Sequence, residues 1–463
     1  MTKIPAGIRI MPSTTCGSAA PEMPANSDDR ANSIMRRQIA AEIGAIIRKV
    51  CLLLKILRNA ESIGKETCEC RRAVTNCQSM TEHGIFQRRG IVEGFFGPLW
   101  SMAHRRRLFE FGAARGMNTY IYAPKDDPYH RKRWRVAYPR RQWRELLPLI
   151  HHAQRNNIDF VYSFHPGEGL CFSDREPIEI LLRKAHRFYQ TGVRTFAVLF
   201  DDIPSRLTHE RDQRIFKNSL ARAQGSWLAE IKARQPTSWT EVEWWICPSY
   251  YSEDPLLERV FGAFEENFLE TLAAHLPLNV ACFWTGPSVV SKKITLTHVR
   301  QIGQKIRRPL LLWDNYPVND LTMSDELHIG PLQSRDLRLP EIVYGYLNNP
   351  LLQEELSFLP LATCFDYAAA PRAYASERSW NRAVKERFGA NALPYWRAIR
   401  RFAEASRPAK ASIRAFQLTR RESLRLAAAL GYIDTHRRDK WAKELAPWST
   451  AIRQTLHHAA QDD

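Results

Sequence analysis

Several features that would settle a function quickly are missing from this chain. No apolar run in its 463 residues is long enough to cross a bilayer, and the most hydrophobic stretch, Ile43 to Leu57, is interrupted by Arg48, Lys49 and Lys55. The first twenty residues have no apolar core behind a basic start, so no secretory leader is expected. The nine cysteines form no even framework, and Cys68, Cys70 and Cys77 have no partner His or Cys at zinc-ligand spacing. A disulfide scaffold and a structural metal are therefore not expected. Cys247 and Cys282 lie in apolar, strand-like runs and read as buried free thiols, which favours the reducing cytoplasm. A helix-opening GxGxxG turn is also absent after the first strand-like run, which argues against a dinucleotide-binding open sheet.

Acidic residues are in deficit. There are 67 Lys and Arg against 49 Asp and Glu, a formal net charge of +18. The excess is uneven: residues 371–463 hold 19 basic and 9 acidic residues, so +10 of the +18 falls in the last fifth of the chain. That distribution weakens a nucleic-acid reading and leaves two for the basic C-terminal helices, a solvated basic face, the more common case, or a surface for an acidic partner.

The chain offers ample material for a core, with 44% hydrophobic residues and 13 Trp. Residues 1–85 read as a basic, poorly ordered extension, and Met80, just ahead of the first regular element, raises the question of an over-long start. From residue 88, β-rich runs alternate with amphipathic helical stretches. The strand-like runs are Arg89–Glu93, Asn118–Tyr122, Asp159–Ser163, Thr195–Phe200, Val242–Ile246, Asn279–Trp284, Leu310–Trp313 and Ile342–Tyr346. Helical stretches between them include Lys217–Arg234 and Leu296–Ile306. Eight strands separated by helices are the rhythm of a (β/α)₈ TIM-type barrel, expected over residues 86–370. Residues 371–463 read as a C-terminal helical bundle, with Ile413–Leu430 and His436–His457 among its helices and breaks at Pro408 and Gly431.

Strand after strand ends in polar or aromatic groups: Glu93-Gly94, Lys125-Asp126-Asp127, His165, Asp201-Asp202, Tyr250-Tyr251, Trp284-Thr285-Gly286 and Trp313-Asp314-Asn315. Turn formation explains one or two such groups but not seven at one end of a barrel, where active sites are assembled. Asp201 and Asp202 carry the most chemistry. Like-charge repulsion at a partly desolvated mouth leaves one acid and one anion, the division of labour a glycosidase needs. Neighbouring carboxyls cannot easily straddle a glycosidic bond about 5 Å apart, as a protein nucleophile and its acid do in ordinary retaining enzymes. The spacing points instead to a nucleophile carried by the substrate, such as a 2-acetamido group.

The runs RGIVEGFFGPLW, NTYIYAPKDDPYH, FDDI, FWTGPSVVSKKI, LLWDNYPVND and LNNPLLQEELS occur in this order between residues 89 and 357. Together they resemble glycoside hydrolase family 84, the protein O-GlcNAcases and bacterial β-N-acetylglucosaminidases. The resemblance implies a retaining exo-β-N-acetylglucosaminidase that works through an oxazoline and needs no metal or organic cofactor. By the same resemblance, Asp201 would orient and polarise the acetamido N–H, and Asp202 would serve as acid and then base. Gly94, Lys125, Asp320 and Asn349 would bind sugar hydroxyls, while Tyr251, Trp313 and Asn315 would surround the acetamido group. Two departures accompany the match: Phe96 stands where the family usually has Tyr, and Tyr250 replaces a more typical Glu. The expected partner is a GlcNAc-bearing glycoprotein or glycan. The rival readings are a hydrolase of chitin- or hyaluronan-derived oligosaccharides and a non-catalytic GlcNAc-binding barrel.

Overall fold

A computed structural model describes residues 84–167, 169–405 and 418–460 of the chain. The N-terminal extension and the break expected at Pro408 lie outside these residues. Eight parallel strands close into a barrel in sequence order: β1 Arg88–Glu93, β2 Thr119–Tyr122, β3 Asp159–Phe164, β4 Thr195–Leu199, β5 Glu243–Cys247, β6 Ala281–Trp284, β7 Leu310–Asp314 and β8 Gly345–Asn348. Closure comes from β1 pairing with β8, with Gly90 opposite Leu347 and Ile91 opposite Asn348.

The strands are apolar on both faces, as buried parallel strands must be. In β1, Val92 points into a barrel interior shared with Ile121, Val161, Ala197, Trp245, Phe283, Leu311 and Leu347. Its neighbour Ile91 points outward into the layer beneath the helices, with Tyr120, Phe160, Phe196, Trp244 and Leu312. The period of two along each strand thus separates two apolar layers.

The surrounding helices are α1 Met102–Ala113, α2 Arg140–Arg155, α3 Glu176–Tyr189, α4 Glu210–Ile215, α5 Leu220–Arg234, α6 Pro255–Phe261, α7 Phe268–His275, α8 Leu296–Ile306 and α9 Glu354–Ala369. The single stretch expected over Lys217–Arg234 is interrupted at its start, because Lys217 and Asn218 adopt left-handed backbone before Ser219 caps α5. Strand β8 begins three residues later than expected. Ile342 and Val343 lie at the end of a tight turn, and the ladder opens at Gly345, where a Cβ would meet Leu311 at 2.6 Å.

Beyond the barrel lie α10 Ser376–Phe388, α11 Leu393–Ala405, α12 Arg420–Thr435, α13 Lys440–Glu444 and α14 Ala446–Ala459. Trp380, Trp396, Trp441 and Trp448 are buried there together with Leu351, Leu356 and Leu359, so these helices share an apolar cluster with α9. Each indole removed from water contributes on the order of 2–3 kcal/mol. Two expectations need correction. Gly431 does not break α12, because Ala429, Leu430 and Ile433 are buried and outweigh the cost of about 1 kcal/mol for a helical glycine. The stretch His436–His457 is divided in two, because Pro447 in the first turn of α14 starts a new helix. Among the described residues no helix is long and apolar enough to cross a membrane.

Candidate active site

The C-terminal ends of the strands surround a cavity of about 200 Å³. Gly94, Lys125, Asp201, Asp202, Tyr251, Trp313, Asn315, Asp320 and Asn349 all line it, so residues spread over 256 positions converge on one space. Strand β4 delivers the acid pair. In an extended strand, successive side chains point to opposite faces. Asp202 escapes that rule because its backbone is left-handed (φ 58°), and both carboxyls face the cavity.

Lys125, at the end of β2, joins the pair. Its ammonium forms an ion pair with Asp201 Oδ2 and lies 3.6 Å from Asp202 Oδ2. Burial alone would pull the Lys125 pKa down, but the two carboxylates outweigh burial and raise it. The lysine therefore does not pair with Asp126 or Asp127. Asp127 instead accepts hydrogen bonds from Tyr122 Oη (2.7 Å), Tyr138 Oη (2.6 Å) and the Tyr129 N–H (2.8 Å), and it braces the loop behind Lys125.

The two aspartates sit in different surroundings. The Asp202 side chain is 23% exposed and accepts a hydrogen bond from Tyr251 Oη at 3.0 Å. The Asp201 side chain is 8% exposed, and its Oδ1 is buried without a hydrogen-bond partner. His165 Nε2 lies 3.8 Å from that oxygen but is 2.9 Å from the Asp201 carbonyl oxygen. Burial, followed by Lys125 and Arg131, pushes the His165 pKa down to about 3, so the ring is neutral at physiological pH. A buried carboxylate oxygen without a donor is costly unless something arrives to fill it.

The opposite wall is a chain of amides. Trp313 Nε1 and Asn349 Nδ2 both donate to Asn315 Oδ1 at 3.0 Å, and Asn315 Nδ2 donates to the Val289 carbonyl at 2.8 Å. The Gly94 N–H lies 3.3 Å from Asn349 Oδ1. Only glycine fits at position 94, since a Cβ there would lie 2.4 Å from the Trp313 ring. Asp320 Oδ2 accepts the Phe96 N–H at 2.7 Å, and burial raises the Asp320 pKa.

The structure also sorts the remaining strand-end residues. Tyr250 turns away to pack on Phe264, Phe268 and Trp284, leaving Tyr251 as the tyrosine on the acid pair. Glu93 is held by Arg105 (2.9 and 2.5 Å), and Asp314 by Arg335 (2.7 Å twice); both are buried supports outside the cavity. Sequence reasoning named Thr285 only as a strand-end residue and gave no site role to Cys247, Leu256, Val289, Val290, Val318 or the segment Leu321–Met323, all of which line the cavity. Cys247 follows the inward alternation of β5 and was legible from it. The 321–323 turn had no chemical signature.

A family model described as beta-N-acetylglucosaminidase matches residues 89–404. The protein O-GlcNAcases of Mus musculus and Rattus norvegicus are each 34% identical over 274 residues, which is 59% of this chain and 29% of theirs. This chain therefore matches under a third of the length of those relatives. The structure of a mutant Thermobaculum terrenum O-GlcNAc hydrolase superposes with a TM-score of 0.74 at 33% identity, covering 81% of this chain and 83% of that one. The structure of CpGH84B superposes with a TM-score of 0.66 at 26% identity, covering 81% and 67%. With an eight-stranded barrel, an acid pair at its mouth and a family match over more than half its length, this chain belongs to the β-N-acetylglucosaminidase family, glycoside hydrolase family 84.

Proposed function

We propose that this chain removes terminal β-linked N-acetylglucosamine, and protein O-GlcNAc in particular, by substrate-assisted hydrolysis with retention. The observation that carries this reading is the buried, unpartnered Asp201 Oδ1 beside the hydrogen-bonded, more exposed Asp202. An acetamido N–H is a donor of the kind Asp201 lacks.

In the first step the acetamido carbonyl oxygen attacks the anomeric carbon while Asp201 accepts the amide N–H and Lys125 compensates the carboxylate charge. The bond from that carbon to the aglycone oxygen breaks, and Asp202 gives the departing oxygen its proton. In the second step Asp202, now a carboxylate, takes a proton from water, the water oxygen bonds to the anomeric carbon, and the oxazoline opens. Two inversions leave the configuration unchanged. Gly94, Lys125, Asp320 and Asn349 hold the sugar hydroxyls, and Tyr251, Trp313 and Asn315 enclose the acetamido methyl and carbonyl. The names of the relatives support the glycoprotein substrate, and the free thiols Cys171, Cys247, Cys282 and Cys364 support a reducing, cytoplasmic setting.

The test is a leaving-group series. Asp202→Ala loses about 10²–10⁴-fold on glycosides with poor leaving groups and far less on activated aryl N-acetylglucosaminides, which need little protonation. Equal losses on both would remove Asp202 as the acid. Wild-type turnover that ignores electron-poor N-acyl groups would remove the acetamido nucleophile.

A further inference from the structure

The loop between β2 and α2 differs from the rest of the surface. Beyond Asp126 and Asp127, residues 128–144, which run from that loop into the start of α2, contain seven Lys and Arg and no Asp or Glu. As a βα loop it belongs to the mouth of the barrel, on the side where the cavity opens. Arg131 ties it to the site: its guanidinium lies 4.9 Å from the centre of the Phe96 ring, and Phe96 both lines the cavity and lies 5.5 Å from Lys125 Nζ.

Lys132, Arg133, Arg135, Arg140 and Arg141 are exposed, and Arg131 is half-buried. Among the described residues none of these six meets a carboxylate. Arg133 and Arg135 rest on the faces of Tyr129 and Trp134, at 5.1 and 4.7 Å, which limits their freedom while leaving their N–H groups to solvent. Arg140 and Arg141 open the first turn of α2, which has no acidic residue. Cations there oppose the helix dipole, so local helix stability does not explain their placement.

The charge excess of the C-terminal helices is compensated in part. Arg382, Arg387, Arg400, Arg401, Lys440 and Arg453 all pair with carboxylates of this chain. Other described cations of these helices, Arg397, Arg425 and Lys443 among them, have no such pair, whereas at the mouth none of the six cations named above has one.

We infer that the β2–α2 loop is a recognition surface for acidic polypeptide segments flanking the glycosylated residue. This inference rests on the protein-substrate reading above and extends it to a substrate class: glycoproteins whose modified serine or threonine lies among Asp and Glu. The position favours a polypeptide aglycone over an unrelated polyanion, because whatever enters the cavity as a glycan must bring its aglycone past this rim. Cations on such a rim raise the local concentration of an anionic substrate, and salt screens them beyond a Debye length of about 10 Å at 0.1 M.

The experiment compares two GlcNAc-serine peptides, identical except that the residues around the serine are Asp and Glu in one and Asn and Gln in the other. An aryl N-acetylglucosaminide is the control. The full-length protein is expected to show kcat/KM about tenfold higher for the acidic peptide at low salt, falling towards parity near 0.3 M, with the aryl glycoside indifferent to salt. The triple variant Lys132→Gln, Arg133→Gln, Arg135→Gln is expected to lose most of that preference while keeping wild-type turnover of the aryl glycoside. Arg140→Gln with Arg141→Gln provides a second variant from a separate element. Equal turnover of the two peptides at low salt overturns the inference, as does a preference that survives in both variants. Salt-sensitive binding of an oligonucleotide through this loop, with no peptide preference, also overturns it in favour of a nucleic-acid partner. Hydrolysis of the aryl glycoside with neither peptide touched would instead remove the protein-substrate reading on which the inference stands.

Discussion

Both ends of the barrel gather charged side chains, and they treat them in opposite ways. At the N-terminal end of the strands, Arg88 reaches from β1 to Asp159 of β3 (2.9 Å) and Glu243 of β5 (2.7 Å). Thr195 of β4 donates to the same Asp159 (2.6 Å), and Tyr344 donates to Glu243 (3.1 Å). Each of these three charges meets a counter-charge from another strand, and the barrel is laced shut. At the C-terminal end, Asp201 and Asp202 share one lysine, and Asp201 keeps a buried oxygen with no donor. The comparison teaches that polarity does not mark a site in this fold. An unfilled carboxylate oxygen beside a second acid and a lysine on an open cavity does, because an incoming ligand can there supply the missing bond.

The contrast breaks most sharply at Asp201. Asp201→Asn keeps the shape but weakens the pairing with Lys125 and the acceptor offered to the substrate, and kcat is expected to fall by about 10²–10³-fold. Thermal unfolding of the variant should stay close to wild type. A large stability loss with modest kinetic loss would make Asp201 a support like Asp159. The mirror-image change is Arg88→Met, which leaves two carboxylates at the closed end without their cation. Roughly 1–3 kcal/mol of stability is expected to go, by denaturant titration, with kcat unchanged. A kinetic defect without destabilisation would break the distinction between the two ends.

A third, smaller effect sharpens the comparison through pH. Burial, followed by the neighbouring His165, pushes the His130 pKa down to about 3, from an ordinary value near 6.5. The unfolded chain binds that proton first, so stability present above about pH 6.5 declines as pH falls towards 3. His130→Asn should flatten this acid limb by roughly 1–2 kcal/mol at pH 5, read from urea midpoints across the range. An unchanged slope would show that His130 does not contribute to it.

Much of this arrangement was legible beforehand, for physical reasons. The strand runs are buried on both faces and so read as dense apolar segments, and Leu296–Ile306 matched α8 at both ends. The acid pair, Lys125 and the WDN run stood at strand ends, where a barrel places its chemistry. Three things were hidden. Local pattern cannot say which tyrosine of Tyr250-Tyr251 faces inward, because that depends on the distant Phe264 and Trp284. Nor can it distinguish Asp314, a support locked to Arg335, from Asp320, a member of the cavity wall. The charge excess of the last fifth points to the C-terminal helices, where seven of the sixteen described cations pair with carboxylates of the chain, whereas the cluster of cations in the loop after β2, hidden in the overall count, has no such pairing. Gly431 misled because a glycine signals a stop only where burial does not hold the helix together.

The left-handed backbone at Asp202 carries a consequence for how such a site would decay. A residue other than glycine in that conformation costs on the order of 1 kcal/mol, and the rest of the fold must sustain it. Turnover alone opposes its replacement by glycine, and foldedness favours it. A relative that had ceased to hydrolyse would therefore be expected to surrender this acid first, and to become sturdier for it.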